Sequence, residues 1–337
     1  MSARLGMDSD APESRRLAVR AVGQQTFDED ARATLLRGLD DEDWRVRREA
    51  AEVLSAFAPT ADDPIVPRLI DGLLQSSRVG FRNACLEALG RLGPGVAAPL
   101  GARLADTEGG DRKFLIGAIG ASGDTASVES LGSFVSDSDP NVGAAALDAI
   151  SALGGPAAEA LLRARLSTLD PLQQVSVLDG LMRMGAHLPF AELEPILSSR
   201  LGRRAALPLV GRSADPAAFA PVIGALDGST HEARLAVRAL AALLEDPGPP
   251  DAFRDQLGTT GRARVRGLLK DDGPETASAA ATVALMARDT EALADVLSAS
   301  AGRVLSAAAV RALRTWGPSA APQLLSAADE VVGGARA

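Results

Sequence analysis

Cys85 is the residue of this 337-residue chain whose side chain could most readily act as a nucleophile. A reactive cysteine needs solvent exposure and a lowered pKa. Cys85 stands instead at a position where the equivalent segments described below mostly carry small residues, so we interpret it as a buried packing thiol. Since it is the only cysteine, an internal disulfide and a cysteine-based zinc cluster are both excluded.

His187, in the segment GAHLP, and His231, directly before Glu232, are the two histidines and the candidate imidazole ligands. One His–Glu pair cannot supply the several nitrogen and oxygen ligands that a catalytic transition-metal site needs. Glu232 also lies at a predicted helix start, where a carboxylate interacts favourably with the helix dipole. The glycines of GAIGASGD, residues 117–124, follow no predicted strand and coincide with a predicted helix end, which argues against a phosphate-binding loop. We therefore expect no catalytic residues, no metal and no cofactor.

The composition favours a helical protein without a membrane span. Aromatic residues make up 3% of the chain, and its apolar residues are mainly Ala, Leu and Val, of which Ala and Leu are strong helix formers. A net charge of −9 and a pI of about 4.9 argue against broad nucleic-acid binding, for which a basic surface is expected. No run approaches the ~18 apolar residues of a membrane span, and the N-terminus lacks the apolar core of a signal peptide. We expect a cytoplasmic protein, and the Ala-, Arg- and Gly-rich composition is typical of a bacterial gene of high GC content.

One apolar pattern recurs along the chain and predicts its architecture. Equivalent apolar marker positions, 29 to 35 residues apart, are Leu54, Leu89, Ile119, Ile150, Leu181, Val210 and Leu240. An apolar residue three positions earlier and a mostly small residue four positions earlier complete one helical stripe. Glycine dominates four residues after the marker, where a left-handed residue commonly ends a helix. Since another apolar helix precedes each marker helix, every period contains a helix A followed by a helix B.

Two helices per period predict an α-solenoid, in which each repeat contacts its neighbours. We expect an all-α, right-handed solenoid of about nine to ten two-helix repeats over residues 14–332. Residues 1–13 are predicted to be a flexible N-terminus, and residues 333–337 a C-terminal tail. The segment ESRRLAVRAVG is predicted to be a helix B without a helix A.

The spacing of the later markers indicates an insertion. The phase continues at Val283 and Leu313, which are 30 residues apart, but 43 residues separate Leu240 from Val283. The segment EDPGPPDAFRDQLGTTG supplies the additional residues. We therefore predict an insertion at about 246–261, forming a loop or a short extra helix that projects from the stack.

The repeat around Trp44 resembles a HEAT repeat. The residues that carry the resemblance are Asp41, Asp43, Val46, Arg47, Ala50 and Leu54, with echoes at Phe81, Arg82 and Val142. The short period is similar to that of the HEAT-like repeats named after phycobilisome lyases. The resemblance implies a ladder between repeats, formed by the Asp of the turn and the Arg of helix B. This arginine is present as Arg47, Arg82, Arg112 and Arg203 and is replaced by Gly143, Gln174, Ala233 and Ser306. We therefore expect the ladder to be broken in the middle and in the C-terminal half.

Enzymes with similar repeats provide the alternative functions. HEAT-repeat deoxyhypusine hydroxylases carry a di-iron site built from several His–Glu pairs, of which this chain has one. A phycobilin lyase would share the repeat alone. HEAT-like DNA glycosylases need a cationic cleft with aromatic residues, whereas Trp44 and Trp316 stand far apart in the sequence.

The predicted B helices carry two columns of charged residues. The first column contains Arg48, Lys113, Arg204 and Arg234, and the second contains Glu52, Glu87, Asp148 and Asp179. In solenoids of this kind the B helices line the concave face, so the columns could form a docking groove for a partner with basic residues. The alternative is a solvated face with pairs four residues apart, such as Arg48–Glu52.

Trp44 is a further candidate binding residue. It stands at the turn position where later repeats have Pro140 and Pro171. It could cover the junction of helices A and B in its own repeat, which we favour, or act as an exposed anchor, since tryptophan is enriched in interface hot spots. Taken together, the sequence predicts a non-catalytic scaffold or adaptor that binds another protein along the helix B surface. The alternatives are a lyase or hydroxylase of the same repeat type and a nucleic-acid-binding protein.

Overall fold

The computed structural model describes residues 6–245, 251–300, 307–314, 316–317 and 321–334. Within these residues the regular secondary structure is entirely helical. The chain divides into two compact units, Met1–Leu166 and Ser167–Ala337. The predicted all-α solenoid class is confirmed, and the prediction of a single domain over residues 14–332 stays a prediction.

The first unit alternates between helices A and B as the repeat predicts. Its helices are α1 (Pro12–Val22), α2 (Glu29–Leu39), α3 (Trp44–Phe57), α4 (Ile65–Gln75), α5 (Val79–Leu92), α6 (Ala97–Ala105), α7 (Arg112–Ser122), α8 (Val128–Gly132), α9 (Pro140–Leu153) and α10 (Gly155–Leu166). The odd-numbered helices are the predicted B helices, and each packs against the next odd-numbered helix. Helix α1 is the predicted helix B without a helix A.

The second unit continues the same alternation. Its helices are α11 (Pro171–Arg183), α12 (Phe190–Leu193), α13 (Arg200–Val210), α14 (Phe219–Ala225), α15 (Thr230–Leu243), α16 (Asp251–Leu268), α17 (Pro274–Met286), α18 (Leu293–Ser300), α19 (Ala307–Arg314) and α20 (Ala321–Gly334). Again the odd-numbered helices are B helices that pack in sequence order. No helix among the described residues is both long enough and apolar enough to cross a membrane.

The apolar markers form the core of the B helices. The buried markers are Leu54, Leu89, Ile119, Ile150, Leu181, Val210, Leu240 and Val283. Leu313 is half-buried, whereas Ala309 and Ala312 of the same helix are buried. Ala309 is the small buried residue predicted four positions before this last marker, so the pattern holds there, although Leu313 itself is less buried than the other markers.

The predicted glycine column ends four of the B helices. Gly93, Gly123, Gly154 and Gly185 have φ between 64° and 78°, a region that glycine enters without steric cost. Ala58 and Ala214 also have positive φ, of 47° and 52°. Leu244 departs from the pattern, because its φ of −92° ends α15 without a left-handed residue.

The small residues four positions before the markers bring helix B close to helix A of the same repeat. A Cβ atom added to Gly38 of α2 would lie 3.0 Å from Ala50 Cβ in α3. A Cβ atom on Gly72 of α4 would lie 2.8 Å from Cys85 Sγ in α5. The close approach predicted from this column is confirmed, and its counterparts are glycines of helix A.

A second small column, which the sequence reasoning missed, lies one residue after the markers. It contains Gly90, Gly120 and Gly211. A Cβ atom on Gly120 would lie 2.8 Å from Ala149 Cα, and one on Gly211 would lie 2.9 Å from Ala239 Cα. Glycine at this position lets the backbones of successive B helices come into contact.

The described part of the predicted insertion is packed rather than projecting. Residues 251–257 form the first part of α16. The helix is kinked at Gly258, whose φ is 56°. Phe253 and Leu257 are buried, and the ring of Phe253 lies 5.0 Å from that of Phe219. These two apolar residues, four positions apart, form a buried helical stripe, which the sequence reasoning overlooked. Residues 246–250 lie outside the described residues.

The segment before α1 makes defined contacts. Met7 is buried, and Arg37 donates a hydrogen bond of 3.1 Å to its carbonyl oxygen. Arg15 of α1 donates a hydrogen bond of 3.0 Å to the carbonyl oxygen of Ser9. Part of the N-terminus predicted to be flexible is therefore attached to α1 and α2.

Candidate partner-binding surface

The predicted site residues lie on B helices of both units. Those in the first unit are Trp44, Arg48, Glu52, Glu87, Lys113 and Asp148, and those in the second are Asp179, Arg204 and Arg234. The first unit brings Trp44, Arg48 and Glu52 together on α3. This part of α3, with the adjoining face of α1, is the candidate surface.

Trp44 is an exposed residue at the first position of α3. Its relative exposure is 59%, and Asp43 before it caps the helix by accepting a hydrogen bond of 2.8 Å from the backbone N–H of Arg45. Val46, two positions later in the same helix, is completely buried. The interpretation of Trp44 as the cover of the junction of helices A and B is therefore wrong, because the first helical position directs its side chain toward solvent.

A surface pocket of about 370 Å³ extends from Trp44 across α1 and α3. Its lining consists of one indole ring, four arginines and three glutamates: Trp44, Arg16, Arg20, Arg45, Arg48, Glu13, Glu49 and Glu52. An aromatic group surrounded by charged groups of both signs can bind a protein segment through apolar contact and hydrogen bonds together.

Glu49 fixes the arginine side chains in this pocket. Its buried carboxylate accepts hydrogen bonds of 2.6 and 2.9 Å from Arg20 and one of 2.8 Å from Arg16. The hydrogen bond from Arg20 is the largest cause of the lowered pKa of Glu49. Sequence reasoning missed Glu49. The available signal was the spacing of Arg16 and Arg20, which are four positions apart, share one face of α1 and could therefore bind one carboxylate of the next helix B.

Arg15 joins α1 to the turn before α3. Its guanidinium donates hydrogen bonds of 2.7 and 2.9 Å to the two carboxylate oxygens of Asp41, and both side chains are buried. The pKa of Arg15 is raised, chiefly by the hydrogen bond with Asp41. This is the ladder contact implied by the resemblance, and the sequence reasoning missed Arg15 as its arginine.

The ladder differs from the expectation at three of the four predicted arginines, two of them in the first unit. Arg112 reaches Asp137 of the next turn at 3.1 Å, as expected. Arg47 instead donates to the carbonyl oxygens of its own turn, at Asp41 and Glu42, and Arg82 likewise donates to the carbonyl oxygen of Ser76. The position in the next turn that could pair with Arg47 is Ser76, which offers no carboxylate.

In the second unit, the fourth predicted ladder arginine has a different acidic partner. Arg203 lies 3.0 Å from Glu232, a residue at the start of the next helix B. The predicted Asp–Arg pairing is therefore replaced there by an Arg–Glu pair.

The acidic column is largely paired with arginines. Glu52 lies 3.0 Å from Arg48 and 3.7 Å from Arg91, and Glu87 lies 2.9 Å from Arg91. In the second unit, Asp179 pairs with Arg183. Asp148 is exposed on α9.

These pairs favour the interpretation of the column as a solvated face. The i,i+4 spacing of Glu87 with Arg91 and of Asp179 with Arg183 is visible in the sequence, and the sequence reasoning did not use it. A basic partner would therefore meet less negative charge on this face than the column alone suggests.

The residues of the basic column have different surroundings. Lys113 Nζ lies 5.0 Å from the centre of the Phe114 ring. Arg234 pairs with the buried Asp271 at 2.7 Å. Arg204 is half-exposed on α13 and has no ion pair within the described part of the chain.

The residues considered for catalysis or metal binding do not form a reactive site among the described residues. Cys85 is fully buried, and burial, with a smaller effect of Asp40, raises the pKa of its thiol to about 12. Its interpretation as a packing thiol is confirmed. His, Cys, Asp and Glu side chains form no group of three arranged to hold a metal ion within the described residues.

We predict that Cys85 in the native protein reacts with maleimide at least about a hundred times more slowly than in the urea-unfolded chain. The reason is that the thiolate is the reactive form, and burial suppresses it. The measurement is the rate of labelling followed by mass spectrometry, with Cys85→Ala as the unlabelled control. Equal rates in the two states would contradict the packing role.

Comparisons with known proteins agree with this architecture. The family model for HEAT repeats matches residues 4–90 and 97–178, which together make up half of the chain. No curated protein matches the chain. One similar structure shows that binding of Kap95p induces the switch loops of RanGDP to adopt the GTP-bound conformation. Its TM-score with this chain is 0.52, and the sequence identity is 12%. The match covers 93% of this chain and 51% of that chain.

Two structures of the karyopherin Kap121p are also similar. One, bound to the SUMO protease Ulp1p, has a TM-score of 0.44 and 12% identity over 88% of this chain and 38% of that chain. The other, bound to the extreme C-terminus of the protein phosphatase Cdc14p, has a TM-score of 0.45 and 10% identity over 96% of this chain and 46% of that chain. The chain thus spans about half or less of the length of these structures. At this level of identity the likeness shows the fold alone.

Proposed function

Because this chain belongs to the HEAT-repeat family, we propose that it is a non-catalytic scaffold or adaptor that binds a partner protein on the B helices of its first unit. The short period of its repeats supports placing it with the HEAT-like group named after phycobilisome lyases. A solenoid provides a long contact surface, and this is the usual use of the fold. Since a fold does not fix a function, the proposal rests on the surface itself.

The observation that carries the proposal is the exposure of Trp44 beside fixed charged groups. Large aromatic side chains are usually buried, so an indole with 59% exposure loses the stabilisation that burial would give it. Binding of a partner would bury this ring, and tryptophan contributes strongly to interfaces when it is buried there. The hydrogen bonds of Glu49 to Arg16 and Arg20 hold the neighbouring arginines in place before binding, which reduces the entropy lost.

Val79 extends the surface onto the next helix B. It is the first residue of α5, as Trp44 is of α3, and its exposure is 63%. Since α3 and α5 pack side by side, Trp44 and Val79 occupy equivalent positions at the N-termini of neighbouring helices. The pairs Arg48–Glu52 and Glu87–Arg91 follow them along the same helices. We propose that a partner segment crosses the B helices here and places apolar side chains on the helix starts.

The partner would first be identified by affinity capture and mass spectrometry. Its affinity for purified variants would then be measured by calorimetry. We predict that Trp44→Ala weakens binding by about thirtyfold or more, the effect of losing an interface hot spot. Leu325→Ala is the matched control, because Leu325 is similarly exposed but lies in the second unit, and it should leave the affinity unchanged.

A second variant tests the role of the charged groups. Reversal of Arg48 and Arg91 to Glu should raise the association rate of a basic partner segment and lower that of an acidic one, since rim charges act mainly on association. The proposal is overturned if Trp44→Ala binds as tightly as the unaltered chain while circular dichroism shows the same helicity.

A further inference from the structure

The second unit exposes another apolar strip, which is separate from the surface at Trp44. Leu172 of α11 and Leu201 of α13 have exposures of 72% and 50%. Each stands nine residues before the marker of its helix, Leu181 and Val210. Since α11 and α13 pack side by side, and packed helices lie about 8–10 Å apart, the two leucines occupy equivalent positions on neighbouring helices.

Helix α13 carries an excess of positive charge beside this strip. Its sequence RLGRRAALPLV contains Arg200, Arg203 and Arg204 and no acidic residue. Arg203 is paired with Glu232 at 3.0 Å. Arg200 and Arg204 have no carboxylate partner among the described residues.

This charge opposes the local physics of the helix. The N-terminus of a helix is stabilised by acidic residues and destabilised by basic ones, yet α13 begins at Arg200. Basic residues at a helix start that form no compensating ion pair lower stability, so their presence indicates a role in binding rather than in folding. The two unpaired arginines therefore point to a ligand with negative charge.

The charged side chains of the neighbouring B helices leave this excess in place. On α11, Asp179 is paired with Arg183, and on α15, Arg234 is paired with Asp271. Arg212, after α13, donates a hydrogen bond of 2.8 Å to the carbonyl oxygen of Gly185. The acidic residues of the two neighbouring B helices, Asp179 and Glu232, are therefore both paired with arginines other than Arg200 and Arg204.

We infer that this surface binds an acidic amphipathic segment of a partner protein. Apolar side chains of that segment pack on Leu172 and Leu201, and its carboxylates accept hydrogen bonds from Arg200 and Arg204. The charge-assisted hydrogen bonds of arginine with carboxylates suit this geometry. A nucleic acid fits less well, because its backbone binds extended basic surfaces and the chain carries a net charge of −9. The surface is independent of Trp44 and of the function proposed above.

Synthetic peptides provide the probe. Three amphipathic helical peptides of equal length would be labelled with fluorescein and titrated with the full chain: one with leucines on one face and glutamates elsewhere, one with lysines in place of the glutamates, and one with serines in place of the leucines. We expect the Leu–Glu peptide to bind at least about tenfold more tightly than either of the others, because both parts of the surface must be matched.

Variants locate the binding on this surface. Arg200→Glu with Arg204→Glu should weaken binding of the Leu–Glu peptide by about tenfold or more and reduce its salt dependence. Leu172→Ser with Leu201→Ser should weaken it by about tenfold. The control, Arg264→Glu with Lys270→Glu, makes the same change of charge on α16 and directly after it, and it should have little effect. Trp44→Ala should also leave peptide binding unchanged, so failure here is distinguishable from failure of the surface at Trp44.

Several outcomes would overturn the inference. These are absence of binding by the Leu–Glu peptide, equal binding of the lysine peptide, and equal losses in the control variant. A fourth is self-association of the chain in sedimentation experiments that the Leu172→Ser, Leu201→Ser variant abolishes. That result would make a second copy of the chain the occupant of this surface.

Discussion

Replacement of Arg15 by alanine is expected to destabilise the first unit by about 3–5 kcal/mol, because it removes one partner of a buried ion pair. Arg15 and Asp41 are both buried, with side-chain exposures of 8% and 6%. The guanidinium also donates hydrogen bonds to the carbonyl oxygens of Ser9 and Asp10, at 3.0 and 3.1 Å. Removing it leaves the Asp41 carboxylate without its cation and two carbonyl groups without their donor.

The measurement is the free energy of unfolding in urea, together with amide hydrogen exchange in α1. Arg15→Lys should retain the charge but lose part of the stability, because an ammonium group cannot reproduce the paired hydrogen bonds of a guanidinium. Arg45→Ala is the control, since Arg45 is exposed and pairs with Asp43 of its own turn. An exposed pair contributes little to stability, so Arg45→Ala should change the free energy of unfolding far less than Arg15→Ala. If Arg15→Ala and Arg45→Ala unfold alike, Arg15 does not attach α1 to the stack.

Substitution of Gly120 by valine is expected to cost about 3 kcal/mol, because overpacking at a close helix contact displaces both backbones. A Cβ atom on Gly120 would lie 2.8 Å from both Cα and Cβ of Ala149 in the next helix B. Both atoms are fixed by the backbone of α9, so they cannot move aside as the end of a flexible side chain would.

Gly117→Val provides a matched control on the same helix. Gly117 lies less than one turn from Gly120, and a Cβ atom there would meet no atom within 4 Å. Since valine and glycine differ little in helix propensity, this variant should unfold within about 0.5 kcal/mol of the unaltered chain. The comparison uses urea unfolding of both variants followed by circular dichroism. Equal stabilities would show that α7 and α9 do not depend on glycine for their contact.

The repeat was predictable because the same apolar helix stripe recurs in each period, and a glycine that ends the helix recurs in many of them. Buried markers such as Leu54 and Leu181, and left-handed glycines such as Gly93 and Gly154, follow from helical periodicity and from the freedom of glycine at positive φ. The column of Gly90 and Gly120 recurs in only part of the chain, so one sequence did not reveal it. The buried helix at Phe253 was missed because its apolar pair interrupts the period instead of repeating it.

The candidate surface was less predictable than the fold. The interpretation of Trp44 failed because tryptophan is usually buried, and the sequence does not show that the first position of α3 faces solvent while Val46 is buried. The acidic column was visible in the sequence, but its pairing with Arg91 depends on contacts within and between B helices. Glu49 was missed because a charged residue beside an apolar stripe is usually exposed, whereas two arginines of α1 make its burial possible.

Site-specific photo-crosslinking in living cells tests the central claim most directly. A photoreactive amino acid would be placed at Asn83 of α5, an exposed uncharged position on the B-helix face near Val79, and in a second strain at Ala102 of α6, an exposed uncharged position on a helix A. The account predicts a crosslinked partner protein from position 83 that is lost in the Trp44→Ala background, and no such product from position 102. Crosslinking of the same partner from position 102 alone, or from position 83 regardless of Trp44, would contradict it.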